Sequence, residues 1–290
     1  MGRIKILKMK KILFPTDFSP AAENAFLYAL SLSKSTKAEL TLLHVYELPE
    51  LGRALKNTTR EVYELMAMES LETFKKSVNQ LHDKADEHGL GDVHFDHAMV
   101  EGEAVYKIAQ AVKEFNADLV VMGTKGATGL KEVFLGSVTS GVMEEAHVPV
   151  LSIPDTSVFS NQLKKVAYLT NYKTEELAAF EQTCAFAFLF NASVDCVHFS
   201  IGEKNEDSGQ MEKWKNSTKI LTVPVDFNVE HGSDIESALL NYSEKNHIDV
   251  LAVQPRKKNI FTRIISRSVS KQIAHHIKVP LLSLPAQNYQ

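Results

Sequence analysis

The chain has 290 residues, of which 44% are hydrophobic and 23% charged, and its formal net charge is −4 at pH 7. The composition is that of a soluble globular protein with a sizeable core, the length predicts two domains, and the mildly acidic balance argues against general nucleic-acid binding. The chain has two cysteines and no apolar run near the roughly 18–20 residues that span a bilayer. We therefore expect a cytoplasmic protein with reduced thiols and no membrane contact.

Short apolar strands alternate with helical segments along the first half, which is typical of a parallel α/β sheet. Ser19 followed by Pro20 predicts the N-cap and the first position of a helix. A long helical segment after Leu55 carries an apolar stripe, which favours packing on the sheet over a groove for a partner. The stripe consists of Leu71, Phe74, Val78, Leu81 and Ala85. The strands are expected near Lys11–Phe14, Glu39–Val45, Val93–Val100, Leu119–Met122 and Val150–Ile153.

The loop after the fourth strand is rich in glycine and leads into a helix that begins with small hydroxyl residues. Gly123, Gly126 and Gly136 bracket the loop, and Ser137 and Thr139 stand at the helix start. Glycine lets the backbone approach a ligand closely, and the N–H groups of a helix start favour an anion. The pattern predicts a phosphate cradle, although an ordinary strand–turn–helix connection has the same appearance. It is neither a Walker A loop nor a dinucleotide-binding glycine motif.

Three segments in order resemble the universal stress protein family. The pattern Gly123-x2-Gly126-x9-Gly136-Ser137 resembles its ATP-binding signature, the segment 11–19 resembles its first strand and Pro-Thr-Asp turn, and the segment 148–154 resembles its closing strand. The resemblance implies an α/β fold of two tandem open five-stranded parallel sheets, of the adenine-nucleotide α-hydrolase-like kind with strand order 3-2-1-4-5. Ligands of such sheets bind at the carboxyl ends of the strands that flank the point where the order reverses, here strands 1 and 4.

The resemblance also implies which residues contact the nucleotide. The adenine and ribose contacts would be Pro15, Thr16, Asp17, Val45, Met122 and Gly123. The phosphate contacts would be Lys125, Gly126, Gly136, Ser137, Val138 and Thr139. Asp17 would supply an acceptor and Val45 its backbone groups to the adenine edge. The residues leave an alternative open, since Asp17, Ser137 and Thr139 could merely cap helices and Lys125 could be a solvated loop residue.

The second half repeats landmarks of the first in the same order, which indicates duplication. The segment 11–18 recurs as 165–172, His44 recurs as His198, and the closing segment 148–154 recurs as 279–285. We therefore place a first domain at residues 1–156 and a second at residues 163–290, on either side of a polar stretch.

The second domain departs from the ATP-binding pattern. The positions of Gly123, Gly126 and Gly136 are taken by larger residues, and Asn171 replaces Asp17. Side chains in place of glycine would block the close approach of a phosphate, so we expect a degenerate copy without the cradle. The three replacements are Gln254, Lys257 and Arg267. The loop that carries the last two is basic and could hold another anion or an acidic partner, or could simply be solvated; its basic residues are Arg256, Lys257, Lys258, Arg263 and Arg267.

These features predict a cytoplasmic tandem stress-response protein that binds ATP, or else AMP or ADP, in its first domain. Mg²⁺ would be held by the phosphates, and the bound nucleotide would regulate contacts with an unknown protein partner. A nucleotide hydrolase or slow ATPase on the same fold is the alternative, but the S-G-G-x-D-S loop of that class is absent after the first strand. A structural protein without nucleotide is a third possibility. No catalytic or metal residue is assigned, since His94 and Asp96 could simply form an exposed polar face.

The closing strands of the two domains, 150–153 and 281–284, are expected to pair with each other. Each would be an apolar strand at a sheet edge, and an edge left bare invites pairing. The two domains would then form a pseudo-dimer within one chain, with less reason for a further homodimer, which remains open.

Overall fold

The computed structural model describes residues 9–48, 59–124, 136–159, 162–201, 207–218, 223–255 and 279–285. In its first half, the strands are β1 Lys11–Pro15, β2 Glu39–Tyr46, β3 Phe95–Glu101, β4 Leu119–Gly123 and β5 Val150–Ile153. In its second half, they are β6 Lys165–Leu169, β7 Ser193–Ile201, β8 Val225–Gly232, β9 Val250–Val253 and β10 Leu281–Ser283. The helices are α1 Pro20–Thr36, α2 Thr59–Glu87, α3 Ala104–Glu114, α4 Ser137–Glu145, α5 Leu177–Phe188, α6 Asp207–Ser217 and α7 Ile235–Lys245.

The strands form one ten-stranded sheet in the order β3-β2-β1-β4-β5-β10-β9-β6-β7-β8. Each half has the predicted order 3-2-1-4-5 with parallel neighbours. The predicted pairing of the closing strands is also confirmed, since β5 and β10 pair antiparallel in the register Leu151 with Leu282. The two halves therefore share one continuous sheet, as the predicted pairing of the closing strands requires.

The helices cover the two faces of the sheet unequally. On one face, α1, α2, α5 and α6 contribute to a single apolar cluster that runs through both halves, with Phe26, Phe74 and Phe180 among its buried members. On the other face, α3 and α4 cover the first half around Ile108 and Val142, and α7 covers the second half in a separate cluster. None of the helices in the described ranges is both long enough and apolar enough to cross a membrane.

Local sequence signals account for the bounds of several elements. The Ser19 hydroxyl accepts a hydrogen bond from the N–H of Ala22 at the start of α1, which confirms the predicted N-cap. On α2, the predicted stripe is buried at Phe74, Val78, Leu81 and Ala85. Leu71 is 44% exposed, so including it in the stripe was wrong: the packed part of the helix begins one turn later.

Two other bounds depend on backbone hydrogen bonds at the start of a strand. β3 begins at Phe95 and not at Val93, because the Val93 N–H donates to Leu90 O in the preceding turn. β1 is anchored by Asp118, whose Oδ2 accepts from the N–H groups of Lys10 and Lys11 at 2.7 and 3.1 Å. Asp249 makes the same two bonds to Lys164 and Lys165 at the start of β6, at 2.7 and 2.9 Å.

Candidate functional site

The sheet order of the first half reverses at β1, which lies between β2 and β4. The chain leaves β1 into α1 and leaves β4 toward α4, and these two helices pack on opposite faces of the sheet. A crevice forms between such diverging connections at the carboxyl ends of the two strands. The sequence-predicted turn at residues 15–17 and the glycine at the end of β4 thus belong to the same edge of the sheet.

The turn after β1 is fixed by its own short polar side chains. The Thr16 N–H donates to Leu43 O at 2.9 Å, and the Thr16 hydroxyl accepts from the N–H of Phe18 at 3.0 Å. Phe18 adopts a left-handed backbone conformation with φ of 56°. One carboxylate oxygen of the exposed Asp17 accepts from the Ser19 N–H at 3.0 Å, which holds this side chain at the crevice.

Val45 lies on β2 beyond the point where β1 has ended. The last β1–β2 pair is Pro15 with Leu43, and the Leu43 carbonyl faces β1. Backbone groups of alternate residues in a parallel strand face the same neighbour, so those of Val45 face the β1 side too, past the end of that strand. An amide edge in this position suits the hydrogen-bonding edge of a flat heterocycle.

His44 was not assigned a role from the sequence, yet its side chain stabilises the turn after β1. Its Nδ1 lies 2.9 Å from Thr16 O and can only donate there, because a carbonyl oxygen is an acceptor. The imidazole ring also contacts Phe18 and Phe74, with ring centroids 4.9 and 6.0 Å away. A signal was available in the sequence, since His44 recurs as His198, whose Nδ1 lies 2.8 Å from Thr170 O.

The start of α4 presents backbone donors toward the same edge. Ser140 is the first residue of the helix whose N–H has an intrahelical acceptor, Gly136 O at 2.9 Å. The N–H groups of Ser137, Val138 and Thr139 therefore precede the hydrogen-bonded ladder, and no side chain in the described ranges caps this end. Ser137 and Val138 are exposed. Uncapped donors at a helix start form an anion site.

Thr139 has a different task from the one that the resemblance implied for its side chain. It is buried, and its hydroxyl donates to Gly123 O at 2.9 Å, which ties the start of α4 to the end of β4. A second bond, from the Gly136 N–H to Thr124 O at 2.7 Å, brings the two ends of the glycine loop together. Thr139 thus positions the helix start, and its N–H is the group left for a ligand.

Gly136 adopts a backbone conformation open to any residue, with φ of −56° and ψ of 152°. A Cβ built there would lie 3.5 Å from Thr124 O and 3.9 Å from the Thr139 hydroxyl, which is ordinary contact. Among the described residues, nothing packed around this position therefore requires glycine. Close approach of a ligand to the backbone would explain the residue, whereas packing does not.

Four further residues of the predicted site belong to the end of β4 or to the sequence that follows it. Met122 is buried near the end of β4, and Gly123, the last residue of that strand, is half-buried. Lys125 and Gly126 lie outside the described residues. So do Lys257, Arg267 and the rest of the basic loop of the second half, whereas Gln254 lies within them.

The corresponding edge of the second half has a similar turn, but different side chains occupy it. Tyr172 takes the place of Phe18 with φ of 53°, and its N–H donates to the Thr170 hydroxyl at 2.8 Å. The buried Glu176 carboxylate occupies the turn and accepts from the Thr170 hydroxyl at 2.7 Å and from the Asn171 N–H at 2.9 Å. Gln254, in the position of Gly123, is itself buried. A carboxylate and a buried side chain thus stand where the first half has an open turn and a glycine.

The described residues contain no group of three or more His, Cys, Asp or Glu side chains arranged to hold a metal ion. The pair considered from the sequence, His94 and Asp96, is a surface contact of 3.4 Å between side chains that are 86% and 75% exposed. Such a pair is a solvated ion pair at most.

Comparison with known proteins gives a consistent picture. The model of the universal stress protein family matches residues 8–154. The universal stress protein MJ0531 of Methanocaldococcus jannaschii is 35% identical over 145 residues, which make up 50% of this chain and 81% of that protein. The universal stress protein MJ0577 of the same organism is 32% identical over 161 residues, with coverage of 50% and 94%.

One solved structure matches the whole length. The crystal structure of a universal stress protein from Archaeoglobus fulgidus covers 98% of this chain and 99% of its own, with a TM-score of 0.66 and 22% identity. At that identity the likeness concerns the fold, and it extends across both halves of the sheet.

Proposed function

Because the chain belongs to the universal stress protein family, we propose that its first half binds an adenine nucleotide, ATP or else AMP or ADP. The bound nucleotide would regulate the contacts of the protein with a partner during the stress response, in the cytoplasm. One observation supports this most strongly. The Thr139 hydroxyl ties the start of α4 to the end of β4, next to the turn that carries Asp17, and no side chain in the described ranges caps the N–H groups of residues 137–139.

Each part of a nucleotide has a counterpart at this edge. The half-buried backbone of Val45, beyond the end of β1, and the acceptor Asp17 would face adenine. Pro15 and Thr16 would shape that end of the crevice, and Met122 with Gly123 would lie along the ribose.

The phosphates would lie on the start of α4, where the helix dipole favours negative charge. They would contact the backbone of Gly136 and of the next three residues, and Gly126 and Lys125 would complete the cradle. Mg²⁺ would be held by the phosphates and would neutralise part of their charge. Glycine at position 136 fits this arrangement, since the surrounding protein leaves room for a Cβ.

The second half would not bind the nucleotide. The buried Glu176 carboxylate would repel phosphate at its turn, and the side chain of Gln254 would take the space that Gly123 leaves open. The duplicated domain would then serve as a partner for the first half along the shared strand pair β5–β10.

We expect at most slow hydrolysis of ATP. Fast phosphoryl transfer needs a residue that orients the attacking water next to the phosphates. In the first turn of α4, the polar side chains are the hydroxyls of Ser137, Thr139 and Ser140, and that of Thr139 already donates to Gly123 O. A nucleotide hydrolase on the same fold remains the alternative, and measured turnover of ATP by the purified protein would distinguish the two.

The decisive measurement is ATP binding by the full-length protein and its variants, together with mass spectrometry of nucleotide that co-purifies. Gly136→Val should weaken ATP binding by more than about tenfold, equivalent to more than about 1.4 kcal/mol, because the side chain would enter the phosphate space. Gly209→Val is the matched control: this exposed glycine on α6 has open space around its Cβ position, and the affinity should not change. A folded Gly136→Val variant that binds ATP as tightly as the unaltered protein would disprove the proposed cradle.

A further inference from the structure

A polar cavity of about 230 Å³ lies on the α7 side of the second half, at the sheet edge formed by β8. It sits near the amino ends of β6 and β7, whereas the proposed nucleotide site sits at the carboxyl ends of β1 and β4. Its lining includes Lys165, Asp195, Asp226, Glu230, Tyr242 and Asn246.

The first half has an apolar core at the corresponding place. Residues of the two halves are matched by the registers of their strand pairs and by the caps of α3 and α7. In this alignment, Glu103 corresponds to Asp234 and Phe115 to Asn246. In the first half, four of the corresponding positions pack in the apolar cluster of α3 and α4. In the second half, the residues at all four positions are polar and line the cavity. From the first half to the second, the changes are Ala98 to Asn228, Val100 to Glu230, Ala111 to Tyr242 and Phe115 to Asn246.

A concerted change of this kind is costly for a core, since buried polar groups need partners. One half of the same chain shows that the fold is satisfied with apolar residues at these positions. The polar set in the other half is therefore not required by the fold.

Asp195 is the most deeply buried charged group of this set. It is 2% exposed and takes the place of Thr41 in the first half. Its Oδ2 accepts from the Tyr242 hydroxyl at 2.9 Å and lies 3.5 Å from Lys165 Nζ. Its Oδ1 is buried and has no hydrogen-bond partner among the described residues. A buried carboxylate oxygen without a donor points to a donor that binds there.

Tyr242 keeps its proton and can act as the donor to Asp195. Burial first, and then the adjacent Asp195 charge, raise the pKa of this phenol well above its usual value. Its oxygen in turn accepts from Asn228 Nδ2 at 3.3 Å. The cavity wall is thus an ordered hydrogen-bonded network on the α7 side.

The charge of the lining selects the kind of ligand. Lys165 pairs with Asp195, and no cation within the described residues forms an ion pair with the carboxylates of Asp226 and Glu230 on β8. They are four residues apart on β8, roughly 13 Å along the strand, with Asn228 between them on the same face, so they lie along the cavity and do not converge on one point. This spacing agrees with the lack of a metal-binding group among the described residues.

We propose that this cavity in the second half binds a small organic dication, a diamine or polyamine, whose ammonium groups pair with the carboxylates of Asp226 and Glu230 beside the buried Asp195. The site is independent of the nucleotide proposal, because it lies in the other half and at the other end of the strands.

The test is calorimetric titration of the full-length protein with 1,4-diaminobutane and with spermidine, at about 0.15 M salt so that diffuse charge attraction is screened. The double variant Asp226→Asn with Glu230→Gln should weaken diamine binding by at least about tenfold. Asp96→Asn is the matched control, since Asp96 holds the position of Asp226 in the first half, where the positions of Asn228 and Glu230 are the apolar Ala98 and Val100. Its diamine affinity should be unchanged, and the diamine should raise the melting temperature of both the unaltered protein and this control.

Four outcomes would overturn the proposal. They are no saturable binding up to about 10 mM diamine, equal affinity for 1-aminobutane, unchanged affinity in a folded double variant, and tighter binding of Mg²⁺ or Ca²⁺ than of either amine at the same carboxylates. Circular dichroism of the variants separates loss of binding from loss of fold.

Discussion

At the scale of single residues, the two cysteines illustrate how burial sets chemistry. Cys184 on α5 and Cys196 on β7 are both free thiols in the large apolar cluster. Burial raises the pKa of the Cys184 thiol to about 12, and it raises that of Cys196 well above its usual value. A thiol that stays protonated is a poor nucleophile, so neither residue is suited to redox or catalytic chemistry in the folded state.

These thiols should make the stability of the protein fall in mild alkali. In the unfolded chain a thiol loses its proton near pH 8.5, whereas the folded Cys184 keeps it to about pH 12. The unfolded state then binds fewer protons, so stability drops as pH rises between those values, by about 2 kcal/mol for the Cys184 thiol between pH 8 and pH 10, and the Cys196 thiol acts in the same direction. Urea unfolding under reducing conditions at both pH values measures this drop. Cys184→Ala should lose less stability over that interval, and an equal loss would contradict the argument.

The residues of the candidate site differ in how far sequence could assign them. Ser19 and Gly136 were predictable because capping and glycine spacing are local patterns. The role of Thr139 as a tie to Gly123 depends on a contact across sixteen residues, which no local pattern encodes. His44 and Asp195 owe their roles to neighbours on other elements, so only the fold reveals them.

At the scale of elements, α4 has to be held in place if its start is to present donors at the crevice. It packs against α3, and Gly141 lies in this contact, facing Val105. A Cβ there would lie 2.7 Å from Val105 Cγ2, which is closer than side chains come to one another. Gly141 is thus required by packing between helices, in contrast to Gly136, where the fold leaves room.

Gly141→Ala should therefore destabilise the protein by about 1–3 kcal/mol through overpacking, partly offset by the higher helix propensity of alanine. Adding Val105→Ala removes the clashing methyl groups. The double variant should therefore lose less stability than the sum of the losses in the two single variants. Denaturant unfolding of the four proteins gives this coupling free energy. Strict additivity would show that α3 and α4 do not meet as described.

The elements themselves were largely predictable because their patterns are strong. The apolar runs of β1, β4 and β5 and the stripe of α2 identify buried faces directly. Leu71 was assigned to the core because periodicity cannot show where a long helix extends past the sheet it covers. The polar row on β8, formed by Asp226, Asn228 and Glu230, matches no sequence motif. It is recognised only by comparison with the corresponding residues of the other half, Asp96, Ala98 and Val100.

At the scale of the whole molecule, the antiparallel pair β5–β10 joins two five-stranded units into one sheet. The sequence predicted that the two strands pair. It did not predict which residues make the hydrogen bonds of the pair, because the direction in which each backbone N–H points is known only from the hydrogen bonds to the neighbouring strands. Pro149 O and Ile153 O both accept from the side of β4. Leu151, which lies between them with the same orientation, therefore points its N–H toward β4, while Ser152 points its N–H toward β10.

The residues of β5 whose backbones join the two halves are thus Val150 and Ser152, which pair with Ser283 and Leu281, and Ser152 is fully buried. Ser152→Pro removes a ladder N–H between the halves, and Leu281→Pro should act alike from the other strand. Leu151→Pro instead breaks a bond inside the first half. We expect calorimetry of the first two variants to resolve separate melting of the halves, where the unaltered chain melts as one cooperative unit. If Leu151→Pro separated the transitions and Ser152→Pro did not, the assignment of the junction bonds would be wrong.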